Sequence, residues 1–203
     1  MSGESKSVAG TVSGEFEYDA ETLPYSKITK STCVFWDVDD CPIPNGVDFN
    51  LIYQNIKSAL ANNGYDGSLE IKLYGEKKPF SDDLMLDNEI TFVHKATKNV
   101  LARVMLLDIL AWALDNTTAY TSYQKSYVMV MSQDVISDNM LVDTLDHLYS
   151  SSFDILLAQS VEVATTLQPK SRVLPFKVPS VWIWTSLIAG GEPIIGQRRF
   201  SGS

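Results

Sequence analysis

The sequence predicts an α/β fold, with three α/β/α layers around a mostly parallel sheet. From residue 32 onward, short apolar segments rich in β-forming residues alternate with longer segments of helical periodicity. The segment SYVMVMS (126–132) is apolar almost throughout, which is typical of a central strand in a parallel sheet. A chain of 203 residues is long enough for one domain with a sizeable core. We predict a flexible arm over 1–30, a domain over 31–195 and a tail over 196–203.

The first part of the domain is predicted to contain three strands and two helices. TCVFWDV (32–38) is short, apolar and rich in β-forming residues, and SLEIKLYG (68–75) alternates like a strand. EITFVH (89–94) is a third strand candidate. FNLIYQNIKSALANNG (49–64) carries an apolar helical stripe and ends in glycine. TKNVLARVMLLDILAWALDN (97–116) is predicted to be the longest helix.

The second part continues the alternation. After the central strand, SDNMLVDTLDHLYSS (137–151) is predicted as an amphipathic helix with Ser137 or Asp138 near its cap. FDILLAQ (153–159) is predicted as a further buried strand. PSVWIWTSLIAGG (179–191) is predicted as a final helix, because proline stands at its start and glycine at its end.

Composition and charge restrict the class of protein. No segment reaches the roughly 18 uninterrupted apolar residues of a membrane span, and no secretory or organellar signal is evident, so we expect a cytoplasmic or nuclear protein with no membrane partner. The formal net charge of −9 is unlike that of proteins that grip nucleic acid broadly. Any RNA contact must therefore be local. Lys98 and Arg103, near the start of the long helix, are candidate phosphate contacts, although they equally suit a solvated helix face.

Acidic residues follow two of the predicted strands. Asp37, Asp39 and Asp40 come at the end of the first strand, and Asp134 follows SYVMVM. Sites in parallel sheets form beyond the carboxyl ends of the strands, so Asp37 and Asp134 are predicted to converge. Converging carboxylates repel one another unless a cation or proton intervenes. Oxygen ligands suit Mg²⁺ or Mn²⁺, which can polarise a phosphodiester and activate water.

The alternative is that these acids only stabilise a turn. Asp39 and Asp40 would then be solvated, and Asp37 would cap backbone amides near Asn45 and Gly46. Spacing alone leaves both explanations open.

Several motifs together resemble a known family. VFWDVDDCPIPNG (34–46), followed by NIKSAL, GYDG and IKLYG, is similar to the start of NYN domains, relatives of the PIN nuclease fold. The plant and limkain-like branch, whose first strand ends in Trp-Asp-x-Glu-Asn-Cys-x-Ile-Pro, is the most similar. KNVLARVMLLDILAWALDN, VMVMSQD with LLAQ, and VWIWTSL also resemble that branch. The resemblance covers residues 32 to 190 and implies a Mg²⁺- or Mn²⁺-dependent ribonuclease fold acting in RNA metabolism.

The acidic site that this resemblance implies is only partly present. Asp37 matches the leading acid, and Asp108 matches the second acid of the long helix. Ala102 stands where the first helical acid belongs. In the family's Ser-Gly-Asp-x-Asp turn, Asp134 matches the first acid, while Ile136 replaces the second. A divalent cation left with Asp37 and Asp134 would bind weakly.

Other acids are possible helpers in that site. Asp39 and Asp40 replace the Glu and Asn of the family's first-strand signature. Asp39, Asp108 and Asp138 are candidate assisting ligands, and Asp138 is the most plausible because it follows Asp134 by about one helical turn.

The sequence leaves three functions open. The first is a ribonuclease-like domain with a degenerate metal site that binds RNA or acts as a regulatory or association module. The second is an active Mg²⁺- or Mn²⁺-dependent endoribonuclease. The third is a dimerising scaffold, in which Trp182 and Trp184 would form a homodimer or protein interface, although core packing is the commoner explanation for such residues.

Overall fold

The computed structural model describes residues 31–79, 89–94, 98–116, 126–133, 137–151, 153–166 and 174–196. Its elements, in chain order, are β1 (Ser31–Asp37), α1 (Phe49–Asn62), β2 (Ser68–Gly75), β3 (Ile90–His94), α2 (Lys98–Asp115), β4 (Tyr127–Met131), α3 (Asn139–Ser150), β5 (Asp154–Gln159), α4 (Val161–Thr166), β6 (Ser180–Ile183), α5 (Trp184–Leu187) and β7 (Ile195–Gly196). The predicted N-terminal arm lies outside the described residues, as does the predicted tail beyond residue 196.

The strands form one sheet in the order β3-β2-β1-β4-β5-β6-β7. The first six strands of that order are parallel, and β7 pairs antiparallel with β6. The chain runs outward from β1 to β3, and α2 then returns it to β4 on the other side of β1. The strand order therefore reverses between β1 and β4, and such a switch point opens a crevice beyond the carboxyl ends of its two strands.

Helices cover both faces of the sheet and enclose two apolar clusters. Alternation along β1 sends Val34 and Trp36 toward α1 and α5, and sends Cys33 and Phe35 toward α2 and α3. Ala164 of α4 packs in the second cluster. The predicted three-layer α/β/α fold with a mostly parallel sheet is confirmed. None of the helices in the described ranges has both the length and the hydropathy that a membrane span requires.

The prediction of one long final helix is wrong. Residues 180–183 form strand β6, and only Trp184–Leu187 is helical. Val181, Trp182 and Ile183 are β-branched or aromatic, and pairing with β5 gives their backbone groups partners. The tertiary context thus overrides the proline and glycine signals at the two ends of the segment.

This strand also corrects the expected interface role of Trp182. The side chain is fully buried, and its indole N–H donates to the carbonyl of Gly191 at 3.1 Å. Trp182 is therefore a core residue. Trp184 is half-buried and packs against the cluster between the sheet and α1.

Candidate functional site

Asp37 ends β1 inside a turn that fixes its carboxylate. Its Oδ1 accepts hydrogen bonds from the backbone N–H groups of Asp39 at 2.9 Å and Asp40 at 3.1 Å. The N–H of Cys41 donates to the Asp37 carbonyl at 3.0 Å. The Trp36 indole closes the turn by donating to the Cys41 carbonyl at 2.7 Å. Asp37 thus caps backbone amides, as the alternative sequence explanation expected, but it caps those of residues 39 and 40.

A small pocket lies at the switch point above Asp37. Its volume is about 20 Å³, close to the space that one water molecule needs. Strand ends, α2 and the start of α3 build its walls. The lining residues are Asp37, Leu101, Ala102, Met105, Ser132, Asp138 and Leu141. Two carboxylates and one hydroxyl group therefore face a mostly aliphatic wall.

The pKa of Asp37 is raised from 3.8 to about 6. Burial is the largest cause, since only 1% of the residue is exposed. The negative charge of Asp40 adds to the rise, while the hydrogen bonds from the backbone of residues 40 and 39 oppose it. No lysine or arginine lines the pocket among the described residues. The Asp37 carboxylate is consequently a buried anion without a compensating cation in that part of the chain.

Asp138 enters the same pocket from the N-terminus of α3. It is the helix N-cap, one of the two cap candidates that the sequence offered, and its Oδ1 accepts from Met140 N at 2.9 Å and Leu141 N at 3.1 Å. The side chain is half-buried. Cap geometry therefore aims a second carboxylate at the space in front of Asp37.

The donor set fits a water-rich Mg²⁺ or Mn²⁺ site. Mg²⁺ is usually held by one or two carboxylates together with waters and phosphate oxygens. Asp37 and Asp138 would supply the carboxylates, each through the oxygen that the capping bonds leave unused. The described residues contain no group of three or more His, Cys, Asp and Glu side chains placed to hold a metal. A cation here would therefore have few protein ligands.

Asp39 and Asp40 do not join the pocket lining. Asp39 is exposed, and its Oδ2 accepts from the N–H of Glu76 at 3.1 Å. Asp40 connects the turn to the end of β4, because Ser132 Oγ donates to its Oδ2 at 3.5 Å and Gln133 Nε2 donates to its carbonyl at 2.8 Å. Both acids hold the loops around the pocket in place.

Asp108 is occupied elsewhere on α2. Its Oδ2 accepts from the Tyr74 hydroxyl at 2.9 Å. Burial, followed by the charge of Asp108, raises the pKa of that hydroxyl. Asp108 therefore fixes α2 to β2 and does not line the switch-point pocket.

Several predicted site residues are not tested by this geometry. Asp134 and Ile136 lie outside the described residues, so the predicted convergence of Asp37 and Asp134 stays a prediction. Lys98 begins α2, but the description does not extend to its side chain. Arg103 is exposed on α2 and is absent from the pocket lining.

Sequence reasoning missed the aliphatic wall. Leu101, Met105 and Leu141 are ordinary apolar residues of two predicted helices, and nothing in their type marks them as pocket residues. Ser132 carried a usable signal, because it is the first polar residue after an apolar strand next to β1.

Comparison with protein-family models gives a match to the family described as NYN domain over residues 31–169. The match begins at the first residue of β1 and runs past α4, so it includes the whole pocket and leaves out β6, α5 and β7. A comparison with curated proteins finds no match.

Proposed function

Because this chain belongs to the NYN domain family, whose fold is ribonuclease-like, we propose that it acts in RNA metabolism with a weakened metal site. On this proposal the domain binds RNA and serves as a regulatory or association module, and it cleaves RNA inefficiently at best.

The observation that carries the proposal is the position of Ala102. Its methyl group lines the pocket together with Asp37 and Asp138, at the position where the family resemblance calls for a carboxylate. A methyl group cannot ligate a cation. Two carboxylates in place of three lower the affinity for a divalent ion, since each anionic ligand adds Coulomb attraction.

The residues around the pocket have distinct parts in this proposal. Asp37 and Asp138 would hold Mg²⁺ or Mn²⁺, which when bound supplies polarisation of a phosphodiester and activation of water. Asp37 is held in one orientation by its own turn. The aliphatic side chains of Leu101, Met105 and Leu141 give the pocket a wall of low polarity, which strengthens the field of both carboxylates.

RNA would be held outside the pocket by positive charge. Arg103 is exposed on α2, the helix that also supplies three pocket residues, and Lys98 begins the same helix. Phosphate contacts from these two residues would position an RNA strand over the mouth of the pocket without reading the RNA sequence.

An active endoribonuclease is the second candidate, and the position of Asp138 favours it. This carboxylate lines the same pocket as Asp37 and would supply a second metal ligand from α3. With Asp134 as a possible third ligand, the site would be reorganised and still functional.

One experiment separates the two candidates. Single-stranded and structured RNAs are incubated with the wild-type protein in Mn²⁺, beside the Asp37→Ala and Asp39→Ala variants. Asp39→Ala is the matched control, since it removes the same charge from a side chain that bonds Glu76 N outside the pocket. Retention of RNA without turnover supports the weakened site. Turnover that Asp37→Ala abolishes and Asp39→Ala spares establishes the active enzyme. Wild-type protein that neither retains nor cuts RNA refutes both.

A further inference from the structure

Gln159 is a buried polar residue at the end of a strand. It is the last residue of β5, and its side chain is fully buried. Among the described residues, neither its carboxamide oxygen nor its carboxamide nitrogen has a hydrogen-bond partner. Buried amides are nearly always hydrogen-bonded, because an unmade bond costs stability. An exception of this kind calls for a ligand or a functional role.

The sheet register places Gln159 beside the switch-point pocket. Met131 pairs with Trp36 on one side and with Ala158 on the other. One residue further along each strand, Asp37, Ser132 and Gln159 stand side by side, and we call them the carboxyl-edge row.

All three residues of this row face the same side of the sheet. Phe35, Val130 and Leu157 lie two residues before them on β1, β4 and β5 and pack in the cluster under α2 and α3. Side chains alternate along a strand, so the row faces that side too. Adjacent strands are about 4.8 Å apart, so Gln159 is one strand from Ser132 and two from Asp37.

We propose that Gln159 is a further ligand-binding residue of this site, and that its carboxamide N–H donates to a non-bridging oxygen of an RNA phosphodiester. This inference rests on the proposed function, which places the phosphodiester at Asp37. A glutamine side chain has three rotatable bonds, so its amide can turn toward Ser132, which lines the pocket. In doing so it replaces an unmade hydrogen bond with one to an anion.

The chemistry of the neighbourhood selects a phosphate oxygen as the partner. An anion that approaches Asp37 and Asp138 is repelled unless a cation or hydrogen-bond donors face it from another side. The described pocket lining contains no lysine or arginine, so a neutral hydrogen-bond donor would have to assist whatever metal ion the two carboxylates hold. The row places the Gln159 amide on the side of Ser132 away from Asp37. A phosphate oxygen is also compact, as a buried amide beside a pocket of about 20 Å³ requires.

The test compares RNA binding by three variants in Mn²⁺, using a fluorescent single-stranded oligonucleotide and anisotropy. Gln159→Met keeps the length of the side chain and removes the donor, and it should weaken binding about tenfold, as expected for a lost hydrogen bond to a charged group. Gln159→Glu puts a negative charge there and should weaken binding further. Gln54→Glu makes the same charge change at an exposed position of α1, on the other face of the sheet, and should leave affinity within about twofold.

Two further readouts separate a binding role from a structural one. Without RNA, Gln159→Met should melt at or above the wild-type temperature, because it removes an unsatisfied amide. In ¹H–¹⁵N spectra of the wild-type protein, the Gln159 side-chain amide signals should shift when RNA is added. The second readout needs no variant, so it still applies if a substitution impairs folding.

The outcomes separate this inference from the function on which it rests. If wild-type protein binds RNA while its Gln159 amide signals stay unchanged, or while Gln159→Met binds equally well, the assignment is overturned and the proposed function stands. A Gln159→Met protein with a lowered melting temperature and unchanged affinity shows a structural residue. Wild-type protein that does not retain RNA overturns the proposed function and this assignment together.

Discussion

Asp37 and Asp138 are oriented by the same pattern of capping hydrogen bonds. Each carboxylate accepts, through Oδ1, hydrogen bonds from the backbone N–H groups two and three residues ahead, at 2.9 and 3.1 Å. The Oδ2 atom of each has no hydrogen-bond partner among the described residues. Since asparagine can keep the Oδ1 bonds, substitution by asparagine removes the charge and preserves the local backbone. This makes the site open to clean tests.

Asp37→Asn should stabilise the protein at neutral pH. The folded-state pKa of about 6 lies above the ordinary 3.8, so the folded state binds the proton more tightly than the unfolded state. The contribution of Asp37 to stability is therefore complete below about pH 4 and is lost as pH rises through about 6. The shift of about two units corresponds to roughly 2–3 kcal/mol in the free energy of unfolding.

Urea unfolding at pH 4 and pH 7.5 measures this difference. The free energy of unfolding of Asp37→Asn minus that of wild type should be more positive at pH 7.5 than at pH 4, by roughly 2–3 kcal/mol. The contributions of the other titrating groups cancel, because both proteins share them. An equal difference at both pH values would show that the Asp37 carboxyl is not perturbed.

Asp138 should have separable capping and charge roles. Asparagine and aspartate are about equally good N-caps, whereas alanine costs about 1 kcal/mol. We expect Asp138→Asn to unfold like wild type and to lose Mn²⁺ affinity. Asp138→Ala should lose both stability and Mn²⁺ affinity. Calorimetric titration with Mn²⁺ and thermal unfolding of the two variants provide the check. Unchanged Mn²⁺ affinity in Asp138→Asn would remove Asp138 from the proposed ligand set.

Ala102→Asp should strengthen metal binding by restoring a third carboxylate to the pocket. We expect at least a tenfold gain in Mn²⁺ affinity, about 1.4 kcal/mol, together with lower stability in metal-free buffer at pH 7.5, because the added charge faces Asp37. Ala111→Asp, on the exposed side of the same helix, is the control. If Ala102→Asp and Ala111→Asp titrate alike with Mn²⁺, position 102 does not face the metal site.

Arg103→Glu should weaken RNA binding and flatten its salt dependence. Each phosphate contact that is lost lowers the slope of log K against log salt by about 0.7 for a single strand. Lys57→Glu makes the same charge change on α1, across the sheet, where the ammonium group lies 5.6 Å from the ring centre of Tyr53. Binding isotherms at several salt concentrations distinguish a local contact from a global charge effect. Identical slopes for the two variants would indicate that only net charge matters.

The two tryptophans near the C-terminal end should respond differently to truncation. Trp182→Ala opens a cavity in the core and should cost about 3–5 kcal/mol, while Trp184→Ala, at a half-buried position, should cost less. Sedimentation of Trp184→Ala beside wild type tests the scaffold alternative. A wild-type dimer that this variant dissociates would favour it, and a wild-type monomer would refute it.

The sequence predicted most of the fold because the spacing of its apolar residues matches the residues that the fold buries along most of the chain. β1, β4 and β5 are apolar runs bounded by polar residues, and α1 and α3 carry apolar stripes, so their patterns leave little choice. The segment 179–191 failed because a short aromatic and β-branched run fits a buried strand as well as a helix. Only pairing with β5, far away in sequence, decides between them.

The candidate site was predicted less completely. Asp37 could be found because its charge ends an apolar strand, and Asp138 because it precedes a helix. The Glu76 backbone engages Asp39 and Tyr74 engages Asp108, and these partners depend on loop geometry that no local pattern encodes. Gln159 carried the same signal as Asp37, a polar residue that closes a buried strand at the same edge of the sheet.

The Asp37 carboxylate is held by its own turn, because its Oδ1 accepts from the backbone N–H groups of residues 39 and 40. These bonds need no metal ion. On the proposal of a weakened metal site, this aspartate would be kept for the shape of the turn alone. In related sequences, a Trp-Asp pair at this place therefore says little about catalysis, and the residue at the position of Ala102, which lines the pocket, is the one to inspect for a metal ligand.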